Sequence, residues 1–169
     1  LKPSFEKGVP TVFGYHVSDP ERYCVIDFDK KLNILSIEEK PKTPKSNYAV
    51  TGIYVFDKNA PAIAKTLKPS LRGETEIADM LKFYHSNKKL DFELLGRGVS
   101  WLDTGTHKSL HEASSYIEAL ENRQGLKIAC LEEISFQKGY ISKDELLIIA
   151  ETMTKSEYGK YLNKISNEI

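Results

Sequence analysis

The sequence predicts an α/β fold on three observations. Short runs rich in β-branched and aromatic residues crowd the first third of the chain. Apolar residues recur at helical spacing from residue 77 and again from residue 106, and the last third reads as mostly helical. Between those helical patterns, Leu90, Phe92 and Leu94 alternate with Asp91 and Glu93, the period-two signature of a half-buried strand.

Taken in order, strands are expected over 11–17, 24–28, 34–37 and 48–56. Each is short and bounded by Asp, Asn, Lys or Pro. Residues 29–33 between the second and third read as a hairpin turn. Pro41 and Pro44 exclude helix from 41–47, leaving a loop. A helix is expected at 59–67, with Asn59 as its cap and Pro61 in its first turn. Ile77, Met80, Leu81 and Tyr84 then form the apolar stripe of an amphipathic helix. After the strand at 90–94, Gly96-Arg97-Gly98 breaks the pattern, and 99–102 resumes an extended run that returns to the sheet just before Asp103. From Thr106 the pattern turns helical, with Leu110, Ala113, Ile117 and Leu120 on one face and Gly125 just beyond the end. A short strand at 127–131, a helix at 132–138 stopped by Gly139, a helix at 143–153 and a C-terminal helix over 157–169 complete the expectation. Ser142 and Glu145 have capping-box spacing at the start of the 143–153 helix.

Composition narrows the function classes. Apolar residues make up 40% and charged residues 28% of the 169, which fits a globular chain and not a disordered one. Lysine plus arginine (24) equals aspartate plus glutamate (24), so there is no basic field to draw the chain onto nucleic acid. Cys24 and Cys130 have no CxxC spacing, which points away from a disulfide framework or zinc knuckle and toward a reducing cytoplasm. No apolar run approaches the length of about 20 residues needed to span a bilayer, so no membrane partner is expected. Leu1 is not methionine and a strand arrives almost at once, which reads as a chain cut from something longer.

Two clusters could carry chemistry. Glu38-Glu39-Lys40-Pro41 ends a strand and opens a proline loop, where ligands of open α/β sheets bind. A lysine there can neutralise a phosphate, and a carboxylate can accept from sugar hydroxyls; the competing reading is a solvated charged turn. Asp103, after Trp101-Leu102 and before Thr104-Gly105, could offer a hard oxygen to Mg²⁺ or could serve as a turn residue at a helix start. His107 and His111 lie four apart, but the order is not HExxH and no third ligand follows. No GxGxxG or GxxxxGK[ST] phosphate loop is present, and no partner that would activate Cys24 as a nucleophile can be assigned.

Taken together and in order, these clusters resemble the bacterial glucose-1-phosphate thymidylyltransferases. The resemblance rests on Val12-Phe13-Gly14-Tyr15, Asp19-Pro20-Glu21-Arg22-Tyr23, Glu38 to Lys42, Pro44 to Gly52, Leu94 to Gly98, Trp101 to His107, Arg123-Gln124-Gly125 and Cys130 to Ile134. It implies a nucleotide-diphospho-sugar transferase fold, a Rossmann-like mixed sheet flanked by helices. In that family dTTP and glucose 1-phosphate yield dTDP-glucose and pyrophosphate under Mg²⁺, on the way to dTDP-rhamnose and related dTDP-sugars. The sugar-phosphate oxygen attacks the α-phosphorus.

By the same resemblance, Asp103 matches the second of two metal-binding aspartates and Lys40 the lysine on the sugar phosphate. Glu39 would bind glucose hydroxyls, Val50, Gly52 and Tyr54 would wall the pocket, Tyr23 would stand at its rim, and Trp101 would support Asp103. Cys24 stands in the sugar pocket where the family usually has glycine. Gly96, Arg97, Glu133 and Ile134 match contacts of a secondary, regulatory nucleotide site. The chain would be the C-terminal portion: 1–126 the sugar-phosphate-binding part, 127–169 a helical assembly and regulatory region of a cytoplasmic homotetramer. The family's glycine-rich loop and first metal aspartate would lie upstream, leaving this chain inactive alone. A non-catalytic sugar-phosphate-binding or oligomerisation module and a uridylyltransferase relative are the alternatives.

Overall fold

The computed structural model describes residues 2–70 and 73–168 and divides the chain into two compact units, Leu1–Trp101 and Leu102–Ile169. In the first unit, a helix, Lys2–Lys7 (α1), precedes four strands: Thr11–His16 (β1), Cys24–Phe28 (β2), Ile34–Glu39 (β3) and Tyr48–Val55 (β4). Helices Ala60–Ala64 (α2) and Ile77–Ser86 (α3) and a last strand, Asp91–Leu94 (β5), follow. The strands form one mixed sheet in the order β3-β2-β4-β1-β5, in which only β1 and β5 pair in parallel.

The sheet's alternation decides where the core sits. Val12, Cys24, Ile26, Ile37, Val50 and Phe92 share one face and pack with Ala78 and Leu81 of α3. On the opposite face, α1 reaches β5 through polar contacts. Ser4 donates to Glu93 at 2.9 Å, and Lys7 lies within ion-pair distance of both Asp91 and Glu93. Gly14 is required where it stands: a Cβ there would fall 2.6 Å from the ring of Phe92, which lies over β1.

The hairpin between β2 and β3 closes as its sequence suggests. The Asp29 carboxylate accepts from the backbone N–H of Lys31 and from both the side chain and backbone of Asn33, which holds its carboxyl below the ordinary range. Leu32 takes the left-handed conformation, φ 64°. The helix expected at 59–67 shortens to Ala60–Ala64, and Asn59 makes no side-chain cap. Asp57 instead holds Asn59 at its backbone and side-chain nitrogens, which spends the turn residue before the helix begins. On α3, Met80, Leu81 and Tyr84 are buried as expected. Ile77 is exposed, however, and Ala78 takes its place in the core.

The second unit is helical: His107–Gln124 (α4), Leu131–Gln137 (α5), Lys143–Thr152 (α6) and Glu157–Glu168 (α7). Thr106 caps α4 reciprocally with Ser109, and Gly125 ends it at φ 67°. Leu110 points outward, so Ala113 is the buried residue of α4. The capping box at Ser142 and Glu145 forms, with the Glu145 carboxylate also accepting from the Ser142 backbone N–H. Cys130, Leu146, Ala150, Tyr161, Leu162 and Ile165 make the core of this unit. Gly159 lets α7 close on the end of α6: a Cβ there would lie 2.1 Å from the Met153 carbonyl oxygen.

Two expected strands are absent, for local reasons. After Leu95 N–H bonds Gly14 O, the chain turns at Gly96 (Val99 N–H to Gly96 O), so 99–102 never rejoins the sheet. Residues 127–131 are bound sideways rather than along a ladder. Glu121 holds both the Lys127 ammonium and the Ile128 N–H, Ala129 turns left-handed at φ 56°, and Cys130 starts α5.

Candidate functional site

The register of the sheet gathers residues far apart in sequence into one row. Gly14 pairs with Leu94 on one side and Val50 on the other, Cys24 pairs with Glu39, and the Val25–Ala49 pairing sets Cys24 beside Val50. Side chains in a row share a face. Cys24, Glu39 and Val50 therefore lie together, with Gly52 and Tyr54 following on the same face of β4.

Polar groups in this row sit against an apolar core and feel one another. The Cys24 thiol is buried, and burial followed by the neighbouring Glu39 charge pushes its pKa up to about 12, which keeps it protonated. Burial, then the neighbouring Cys24 and Glu39, likewise raise the Tyr54 phenol. Val50 is buried, and Gly52 leaves open space where a side chain would stand.

Lys40 follows directly at the end of β3. Its φ of 42° is left-handed, and its N–H donates to Tyr23 O at 3.0 Å. Such a conformation in a non-glycine residue is a strain that tertiary contacts must hold, and strain of this kind gathers at ligand sites. The Lys40 side chain is exposed. Glu38, on the other face, pairs with Lys45 at 2.5 Å, which lowers its carboxyl pKa.

Aromatic rings border the row. Trp101 meets Tyr23 edge-on with centroids 5.2 Å apart and Tyr15 at 5.9 Å, while the Arg22 guanidinium lies 5.2 Å from the Tyr23 ring. Gly96 and Arg97 line a separate cavity of about 670 Å³ with Tyr15, His16, Tyr48 and Leu94. The sequence reading missed Tyr15, His16 and Tyr48 as lining residues. An aromatic at each end of paired strands was the available signal, since His16 pairs with Tyr48 in the β1–β4 ladder.

In the second unit, Asp103 is half-buried, and its carboxylate folds over Gly105, where a Cβ would come within 3.3 Å of an oxygen. Among the described residues no group of three or more His, Cys, Asp or Glu could hold a metal ion. Glu133 accepts from Tyr161 and, at 3.0 Å, from the Gln137 amide, while Ile134 is exposed. No helix among the described residues is long and apolar enough to cross a membrane.

The mixed sheet and its helices define an α/β class of protein. Comparison with known families makes this specific: residues 3–119 match the nucleotidyl transferase family, and the chain belongs to that family. It is 50% identical over 155 residues to a glucose-1-phosphate thymidylyltransferase of Neisseria meningitidis serogroup A, covering 92% of this chain and 54% of that protein. It is 51% identical over 156 residues to the protein of the same name from Xanthomonas campestris pv. campestris, at 92% and 53% coverage. The chain thus spans about half the length of the curated relatives it matches. A crystal structure of a glucose-1-phosphate thymidylyltransferase of Bacillus anthracis, in complex with sucrose, superposes with a TM-score of 0.61. The two are 40% identical, with 68% of this chain and 46% of that one covered. A UDP-glucose pyrophosphorylase shares the fold at a TM-score of 0.59 and 23% identity, with 68% of this chain and 46% of that one covered.

Proposed function

We propose that this chain supplies the sugar-phosphate-binding part of a glucose-1-phosphate thymidylyltransferase, acting on glucose 1-phosphate and dTTP in dTDP-sugar biosynthesis. The observation that carries the reading is the row of Cys24, Val50 and Glu39 across the sheet, with Lys40 held in a strained bend directly after it. Residues 24 and 39 meet through the β2–β3 hairpin, and the pairing of β2 with β4 brings residue 50 beside them. Their convergence gives a carboxylate for sugar hydroxyls, an exposed ammonium for a phosphate, and an apolar wall.

In this reading Glu39 accepts from glucose hydroxyls, and Lys40 neutralises the phosphate. Tyr23, Cys24, Val50, Gly52 and Tyr54 shape the pocket, and Trp101 steadies its rim through Tyr23. The protonated Cys24 thiol leaves Glu39 as the one anion of the row, which suits a hydroxyl-rich ligand. Asp103 offers a single hard carboxylate, which fits an ion that takes one or two protein ligands and completes its shell with phosphates and water. Mg²⁺ bound there would supply charge neutralisation on the triphosphate. Gly96 and Arg97, and separately Glu133 and Ile134, are proposed contacts of a regulatory nucleotide. The working protein is proposed to be a cytoplasmic homotetramer, with 1–126 as the binding part and 127–169 as the assembly and regulatory region.

The test has two arms. The chain should bind glucose 1-phosphate in calorimetry, and Lys40→Ala should weaken that binding at least tenfold. Absence of binding to the folded wild-type chain would refute the pocket assignment. In the complete product of the gene, Asp103→Ala should abolish Mg²⁺-dependent formation of dTDP-glucose while leaving the fold intact, and near-native turnover would overturn the metal assignment.

A further inference from the structure

Two tyrosines three residues apart on α7 meet two adjacent carboxylates on α5. Tyr161 donates to Glu133 at 2.5 Å, and Tyr158 donates to Glu132 while lying 3.2 Å from the Cys130 sulfur. Tyr161 is 7% exposed and Cys130 2%, so these bonds form against the core of the second unit, where hydrogen bonds are stronger than in water. One phenol therefore joins α7 to α5, just after the loop that leads from α4 into α5.

That loop is unusually constrained. Glu121 of α4 holds Lys127 and Ile128, and between these anchors and buried Cys130 the chain passes through left-handed Ala129. A non-glycine residue keeps such a conformation only where its surroundings over-determine it. α5 itself has seven residues, too few to fix its own orientation, so its tertiary bonds set where its side chains stand. On Glu133 the two oxygens differ. Oε2 is committed to Tyr161 in the interior, whereas Oε1 accepts from exposed Gln137, a partner that can swing away.

We infer that Tyr161 is the positioning residue of α5: it fixes the Glu133 carboxylate so that Glu133 Oε1 is presented, in a set direction, to the hydroxyl or N–H donors of a nucleoside diphosphate sugar. The inference rests on the proposal above that Glu133 and Ile134 contact a regulatory nucleotide. It adds a residue that touches no ligand and acts only through Glu133. Tyr158 bonds Glu132, not Glu133, and serves as an internal control of similar chemistry.

The experiment uses the complete gene product and dTDP-glucose as the probe. Tyr161→Phe should raise the Kd for dTDP-glucose at the regulatory site about tenfold, the scale of a lost hydrogen bond to a charged group. KM for dTTP and glucose 1-phosphate should stay within twofold, and Tyr158→Phe should leave the regulatory Kd within twofold. If Tyr161→Phe leaves the Kd unchanged while Glu133→Gln weakens binding, the positioning role is overturned and the regulatory reading stands. If Glu133→Gln also changes nothing, it is the regulatory reading that fails, and this inference with it. A second measurement needs no variant to fold: dTDP-glucose should slow hydrogen exchange of the α5 amides in the wild-type protein at least threefold, and unchanged exchange would overturn the contact of Glu133 with the nucleotide and the inference with it.

Discussion

Replacing Gly14 with alanine tests the packing that aligns the candidate site. The new methyl carbon would stand 2.6 and 2.7 Å from two ring carbons of Phe92 and 3.5 Å from Leu94, so the closest contact is 0.8 Å inside the 3.4 Å limit of ordinary contact. The Phe92 ring has nowhere to go. It is 5% exposed and packs on Phe28 with centroids 4.8 Å apart. Overpacking of this kind costs about 1–3 kcal/mol, and the rigid ring places Gly14→Ala toward the upper end, at about 3 kcal/mol. With a urea dependence of about 2 kcal/mol per molar, the unfolding midpoint of the first unit should fall by about 1.5 M. Fluorescence of Trp101, the single tryptophan, reports on that unit because the indole packs against Tyr15 and Tyr23. Phe92→Leu in the same chain should recover part of the loss, so the double variant should be more stable than the two single effects predict. An unchanged midpoint, or strict additivity, would refute the claim that Phe92 and Gly14 fix the β1–β5 edge.

Three further outcomes follow from particular contacts. Gly159→Ala sets a methyl carbon 2.1 Å from a backbone carbonyl rather than a side chain, so it should destabilise the second unit more than Gly14→Ala does the first; a melting temperature within 2 °C of wild type would contradict the close approach of α7 to Met153. Both thiols are buried, and the Cys24 pKa stands near 12. Native protein at pH 8 should therefore react with Ellman's reagent only at the rate of unfolding and release two equivalents in denaturant, whereas a fast native phase would refute the burial. Burial and then the hydrogen bond to Glu133 raise the Tyr161 pKa from 10 to about 12. Its contribution to stability should be complete below pH 10 and lost as pH climbs through 12, seen as helix loss by circular dichroism that Tyr161→Phe makes shallower.

Much of the fold was legible because its signals are local. Runs of β-branched and aromatic residues marked β1 to β4, alternation marked β5, the Asp29 and Asn33 pair marked a hairpin, and Ser142 with Glu145 marked the start of α6. For the hairpin and the helix start the stabilising bonds lie within a few residues of one another. The two strands read into 99–102 and 127–131 failed because a strand also needs a partner. Gly96 turns the first away from the sheet, and Glu121, six and seven residues back, captures the second. Helix α1 went unread for the opposite reason, since its anchors are Asp91 and Glu93, more than eighty residues on.

The candidate site divides in the same way. Sequence by itself determined that an acidic-basic cluster ends a strand at 38–40, that an aspartate precedes a capped helix at 103, and, through eight clusters in order, which family the chain resembles. Only the tertiary structure decided that Cys24, Glu39 and Val50 share one row, that burial keeps the Cys24 thiol protonated beside Glu39, and that Tyr161 holds Glu133. Register, burial and hydrogen bonds between helices depend on which strands and helices become neighbours. That choice is made by the whole core at once, and no single segment encodes it.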